Sequence, residues 1–393
     1  MTAPALHAGG ASVTDRNAPR GAVGDPESIG AHPADLLLGT LRLRDGLPPA
    51  QLRGRWASAA TSGLRRLVES EGCALWLHRR LHQIAARDVL ESDFGFWLGR
   101  RARDEAARNL LVDAQVGAVL HDFAFEEIPH VLLKGAARRA SVDLFPFADA
   151  RATRDVDVLL PASRAWEAWH ALRRRGYEIA SRPDRIKQDH FHLPALWDRC
   201  RVAVEIHTST SMAVPSEEAW RRINGGAREV VWDGVQTRVP AATELLWHGL
   251  SHSLDQRPDA FRLRLLLDGA AVLAGSAAVA WPALLARLDG PEVGDRASAV
   301  AWLRTAAWLA GAQAPAEVTA GPGPIAGDLG RAWRWRCAVL RPFPPHARVA
   351  KLLTSEGTRR ELGLGPAATA YRLGHVAVAA ARAAHLVWRA VSR

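Results

Sequence analysis

The sequence predicts an α+β protein in which a short mixed sheet lies in the middle of the chain, with helical regions before and after it. Three observations support this class. Short apolar runs of strand composition sit centrally: VLL at 131–133, RDVDVLL at 154–160 and RVAVEIH at 201–207. On either side, apolar residues recur at helical intervals, as Leu77, Leu81 and Ile84 do. An Asp233-Gly234 pair between Val-rich runs marks a two-residue hairpin turn. A chain of 393 residues can hold two or three domains with substantial cores.

Residues 1–32 are rich in Gly, Ala, Pro and Asp, lack apolar periodicity, and read as a disordered tail. Residues 33–126 read as a helical region. Leu36, Leu37, Leu38, Leu41 and Leu43 cluster there, and Trp56, Leu64, Leu67 and Val68 follow. Ala107, Leu110, Leu111, Ala114, Val119 and Leu120 are the expected inner face of a long helix lying on the sheet. Residues 127–240 are the expected sheet module. Pro161 ends its RDVDVLL strand, and Ser163 is the expected cap of a helix that stops at Arg175-Gly176. The stretch 190–207 reads as a hairpin. With the turn at Asp198-Arg199, His192 faces Glu205 and His190 faces His207, and Pro194 marks the first strand as an edge or as bulged. Residues 241–393 read as helical again, with His248 and His252 one turn apart and assigned to a helix surface. A Pro/Gly-rich loop is expected at 312–330, a Trp/Arg helix at 332–340 and an Ala-rich helix with arginines at 367–393.

Composition narrows the class. The chain is 48% hydrophobic and 23% charged, as globular proteins are. No apolar run approaches the roughly 18–20 residues of a membrane span, and no basic start with an apolar core suggests secretion. Cys73, Cys200 and Cys337 are far apart and form no CxxC, so a reducing cytoplasm is expected. The net charge of +10 attracts anions such as nucleotides, nucleic acids or anionic lipids. Its arginines are dispersed without a long basic block, which favours a solvated helix surface over a nucleic-acid reader.

The chemistry concentrates between residues 131 and 207. Alternation along a strand sends Asp155 and Asp157 to one face and Val156 and Val158 to the other. Adjacent carboxylates repel unless a cation lies between them. Glu205, set among Val202, Val204 and Ile206, supplies a third acid. Three carboxylates make a hard oxygen site for Mg²⁺, the chemistry of phosphoryl and nucleotidyl transfer. Lys134-Gly135 follows a short strand where a helix begins, and such a turn can receive phosphate oxygens. Arg151 and Arg154 precede the acids and can pair with phosphates. His190, His192, Cys200 and His207 invite a zinc reading, but no conventional fourth spacing completes it.

The run LLKG, then RDVDVLL, then Gly176-Tyr177, then VEIH resembles the uncharacterised nucleotidyltransferases of the polymerase-β-like superfamily, over about 109–274. The resemblance implies a polymerase-β-like nucleotidyltransferase core flanked by helical regions. It implies Mg²⁺- or Mn²⁺-dependent transfer of a nucleoside monophosphate from ATP or another NTP to an unidentified acceptor, which can be a small molecule, a peptide or a macromolecule. Asp155, Asp157 and Glu205 would be the catalytic metal ligands, and Lys134, Gly135, Arg151, Arg154, His192 and His207 would face the nucleotide. Lys-Gly stands where the superfamily commonly has Gly-Ser or Gly-Gly, and Thr208 where an aromatic often follows the histidine. The rival readings are a non-catalytic nucleotide-binding module on the same fold, a basic nucleic-acid-binding protein, and a membrane-surface protein using the Ala/Arg tail.

Overall fold

The structure, a computed structural model, describes residues 33–44, 48–57, 61–142, 144–180, 191–255, 263–293 and 296–320. The tail at 1–32, His190, Cys337 and the helices expected at 332–340 and 367–393 lie outside the described residues.

The N-terminal part is helical: α1 (Pro33–Leu41), α2 (Pro49–Ala57), α3 (Thr61–Glu71), α4 (Ala74–Gln83), α5 (Arg87–Leu90) and the 33-residue α6 (Asp93–Phe125). Ser92 starts α6 as an N-cap, its hydroxyl accepting from the Gly95 N–H at 3.2 Å. The buried stripe of α6 runs through Asn109, Val112, Val116, Val119, Leu120 and Phe123. Leu110 and Leu111 point outward instead, at 68% and 43% exposure. Ala107 and Ala114 of the expected face are exposed as well, because at about 100° per residue they lie off the stripe through Val112, Val116 and Val119 that is covered.

The sheet follows, made of β1 (Val131–Leu132), β2 (Asp155–Leu159), β3 (Glu178–Ile179), β4 (Leu196–Trp197) and β5 (Ala203–His207) in the order β1-β2-β5-β4-β3. Only the β2–β5 pair is parallel, and the sheet is mixed as expected. The short helix α7 (Lys134–Arg139) follows β1, and α8 (Ala162–Arg174) follows β2. Pro161, not Ser163, occupies the N-cap position of α8, because proline's fixed φ is already suited to a helix entry. The expected stop at Gly176 holds: Gly176 has φ +93°, its N–H bonds the Arg173 carbonyl, and the Tyr177 N–H bonds that of Leu172, a Schellman motif.

The hairpin into β5 has a different register from the one expected. Leu196 pairs with Val204 and Trp197 with Ala203, so the turn spans residues 198–202. Asp198 Oδ1 accepts from the Val202 N–H at 2.9 Å, which stabilises this longer turn. Further along, His192 bridges His207, not Glu205. The first strand has one residue more than its partner between these two pairings, which makes a bulge around Pro194. Strand β4 is not an edge, since β3 covers its other side.

Next come α9 (Ser216–Gly225) and a separate hairpin of β6 (Arg228–Trp232) and β7 (Val235–Val239). Asp233 and Gly234 both have positive φ, +50° and +77°, as a type I′ turn needs. The C-terminal helices are α10 (Ala242–Asp255), α11 (Leu263–Ala274), α12 (Trp281–Ala286), α13 (Arg296–Ala310) and α14 (Ala316–Thr319), the last falling within the expected loop. Buried apolar residues from Leu36 through Val156 and Leu266 to Val318 form one continuous cluster. Helix α10 touches α7, so the C-terminal helices reach the sheet beside Lys134. No helix among the described residues is long and apolar enough to cross a membrane.

Candidate active site

The parallel register of β2 and β5 sets Asp157 directly beside Glu205 and Leu159 beside His207. Asp155, Asp157, Glu205 and His207 share one face by alternation. The Leu133 N–H donates to the Asp157 carbonyl oxygen at 2.9 Å, which pins the turn after β1 next to that acid. Lys134 then takes φ +44°, a left-handed conformation that costs a non-glycine residue about 1–2 kcal/mol. Its Nζ donates to Asp157 Oδ1 at 2.7 Å and lies 3.8 Å from Glu205 Oε2. From the other side His207 Nε2 donates to the same Asp157 Oδ1 at 2.9 Å and lies 3.5 Å from Glu205 Oε2.

Asp157 is completely buried, whereas the Glu205 side chain is 25% exposed, so the cluster opens toward solvent at Glu205. Among the described residues, Asp157 Oδ2 and His207 Nδ1 are buried without hydrogen-bond partners. Asp157, Glu205 and His207 each bring a ligand atom within 4.8 Å of the others, a donor set able to hold a divalent cation. Asp155, two residues earlier on the same strand, is not in that set, though its charge interacts with that of Asp157.

The electrostatics divide the acids. Burial opposes charge on Asp157, but the Lys134 ammonium and His207 overcome it and hold its carboxyl well below the usual range. The Asp157 charge, helped by burial, pushes Asp155 up. Glu205 is held down against burial by His207 and Lys134. Burial and the Lys134 charge disfavour protonated His207, yet its bonds to Asp157 and Glu205 raise it overall.

The other expected site residues have different surroundings. Gly135 lies against Arg151 and Thr153, and a Cβ there would come 2.5 Å from Thr153 Cγ2 and nearer still to the Arg151 guanidinium. Gly135→Ala is therefore expected to destabilise the protein by about 1–3 kcal/mol, the usual cost of overpacking, read as a lowered denaturant midpoint; an unchanged midpoint would show that the contact is soft. Arg151 is buried and its Nε bonds both oxygens of Asp268 on α11 at 3.0 Å, so the guanidinium is engaged inside the fold, behind the turn. Arg154 is exposed, and its charge acts on Glu105 of α6. The His192 ring meets that of His207 edge-on at 5.3 Å, and its Nδ1 is 2.8 Å from the Leu193 carbonyl. The Phe191 ring stacks on His207 at 5.6 Å.

Several supporting residues carried little signal in the sequence. Asn109 accepts from the Thr153 N–H at 2.9 Å and donates to the Arg151 carbonyl at 2.9 Å, clamping the loop that leads into β2. Its clue was a polar residue in line with Val112 and Val116. Arg108 donates to the carbonyls of Arg154 and Arg201, joining the entries to β2 and β5. Asp268, an acid inside the apolar run of α11, holds Arg138 as well as Arg151.

His248 is buried, not on the helix surface; α10 packs against α7, α11, α12 and α13. Burial holds both His248 and His252 below the ordinary histidine value, His252 at about 3. Such a histidine stays neutral in the folded protein while the unfolded chain takes up a proton below about pH 6.5. Its stability contribution is complete above that pH and falls by about 1.4 kcal/mol per pH unit below it, for His252 down to about 3. Between pH 7 and pH 5, the wild type is expected to lose more stability than His252→Gln in denaturant titrations; parallel curves would contradict the assignment.

The mixed sheet thus carries acids on adjacent parallel strands, with a lysine turn beside them. The family model described as uncharacterised nucleotidyltransferase matches residues 58–309, well over half of the chain, and the protein belongs to that family. It is accordingly a transferase. Among solved structures, the antibiotic-resistance factor ANT(2'')-Ia is similar at 14% identity, over 59% of this chain and 95% of that one, with a TM-score of 0.30. The search of curated proteins returned no match.

Proposed function

We propose that this protein transfers a nucleoside monophosphate from an NTP to an acceptor and releases pyrophosphate, with Mg²⁺ or Mn²⁺ held by Asp155, Asp157 and Glu205. The observation that carries this reading is Asp157: its carboxylate is fully buried, lies beside Glu205 in the parallel register, and has no partner for Oδ2 among the described residues. Burying a polar atom unpaired is costly, and a cation is the partner that this acidic surrounding suits. When bound, a divalent ion polarises the phosphoryl oxygens and offsets the charge of the leaving pyrophosphate.

The residues divide the remaining work. Asp157 is oriented by the His207 Nε2 bond, which fixes which oxygen faces the cluster. Lys134 and Gly135 receive the phosphates at the turn, Arg154 and His192 border the nucleotide, and the fully buried His207 acts on it only through Asp157. Arg151 supports Gly135 from inside and adds positive potential near Asp155 and Asp157. The acceptor approaches from the exposed side of Glu205. Cys73 and Cys200 are free thiols, which suits a cytoplasmic enzyme.

The test is pyrophosphate release from each of the four NTPs with Mg²⁺, using cell extract as the source of acceptor. Release with one or more NTPs is expected and names the donor. Tight NTP binding with no release across acceptor fractions would instead indicate a binding module.

A further inference from the structure

The geometry points to Lys134 as a built-in counter-ion that holds the cation position between Asp157 and Glu205, leaves it when a divalent metal enters, and is then free to pair with the nucleotide's phosphates. This rests on the metal reading proposed above and goes beyond it, by making metal and nucleotide binding interdependent through one side chain.

The chain itself singles out this residue. Of its 51 Lys and Arg residues, only three are lysines: Lys134, Lys187 and Lys351. In so Arg-rich a protein, a lysine at the centre of the acidic cluster has a physical rationale. An ammonium is a compact point charge on a flexible stem, whereas a guanidinium is a planar fork. The ammonium can occupy a site of ionic size between two carboxylates and can also withdraw from it.

The contacts fit that role. Nζ is 2.7 Å from Asp157 Oδ1 and 3.8 Å from Glu205 Oε2, two of the acids that would hold the metal. Two cations cannot share so buried a position, since like charges at this range repel strongly. A metal taken up at Asp157 Oδ2, unpartnered among the described residues, shares its carboxylate with Nζ, and its charge drives the ammonium off Oδ1. The backbone is poorly placed to follow: Leu133 is tied to the Asp157 carbonyl, Lys134 is at φ +44°, and Gly135 is wedged against Thr153 and Arg151. The movement falls to the rotatable bonds of the side chain. Its outlet is on the Glu205 side, because Asp157 and His207 are completely buried. Phosphates arriving there meet the released ammonium. Each ligand then favours the state that the other needs, and the coupling is reciprocal.

The test is calorimetric titration of the full chain with Mn²⁺, wild type against Lys134→Gln, with and without a non-hydrolysable NTP analogue. Removing the internal competitor is expected to tighten Mn²⁺ binding without nucleotide by about tenfold or more, the effect of one opposite charge beside a carboxylate. The variant should bind the analogue more weakly and lose most of the mutual enhancement. In parallel, wild-type protein labelled with [ε-¹³C]lysine is titrated with Mg²⁺, with the Lys134 signal assigned by Lys134→Arg. That signal is expected to shift as the metal binds, and this readout stands even if Lys134→Gln does not fold. Mn²⁺ binding by the wild type that is unchanged or weakened in Lys134→Gln, or a Lys134 signal unmoved at saturating Mg²⁺, would overturn the counter-ion role and leave the metal site standing. Absence of Mn²⁺ binding in both proteins would overturn the metal reading, and this inference with it.

Discussion

Asp157→Asn is expected to lower pyrophosphate release by at least about 10²–10³-fold, the scale of losing one preorganised electrostatic contact in a transition state. The amide keeps an oxygen in the position that accepts from Lys134 and His207, so both existing bonds retain a partner. What disappears is the charge that the cluster is arranged around. Stability should change less than for most buried charge deletions. The substitution weakens a buried ion pair, but it also relieves the repulsion that pushes Asp155 up. Steady-state release and a thermal melt on the same preparation separate the two effects. Wild-type turnover in a folded variant would remove Asp157 from the chemistry.

Asp268→Ala is expected to cost about 3–5 kcal/mol of stability, since breaking a buried pair leaves an uncompensated charge. Here it strands two. Arg138 and Arg151 are 3% and 6% exposed and both pair with this one carboxylate. Burial already draws Arg138 down to about 10, and Asp268 opposes that shift. A typical domain has only about 5–15 kcal/mol in total, so the denaturant midpoint should fall steeply. Adding Arg151→Met to Asp268→Ala should restore part of the loss, because one stranded charge goes with it. A midpoint near that of the wild type for Asp268→Ala alone would show that this clamp between α11 and the loop before β2 is not holding the fold.

These two residues also mark how much the sequence could disclose. Asp157 was legible because a strand has a period of two: DVD followed by apolar residues specifies which side chains share a face, and VEIH repeats the pattern on the neighbouring strand. The Asp233-Gly234 turn and the Gly176 helix stop were legible for a similar reason, since few residues tolerate positive φ. The pairing of Asp268 was not, because its partner Arg151 is 117 positions away and no local pattern encodes it. The register near His192 was misread by the same limit. Pro194 signalled an irregularity, but the longer turn, supported by Asp198, decided which histidine met which acid. His248 and Leu110 failed in opposite directions. Helical spacing places residues on a common stripe, while only the packing partners decide which stripe is covered.

The measurement that tests the central claim most directly is the fate of label from an NTP carrying ³²P at the α or at the γ position, incubated with the protein, Mg²⁺ and acceptor extract. Nucleotidyl transfer predicts that α-label passes into a product, γ-label leaves as pyrophosphate, and both outcomes vanish in Asp157→Asn. Product labelled from the γ position and not the α position would contradict it, and would make the acidic cluster a site of phosphoryl transfer instead.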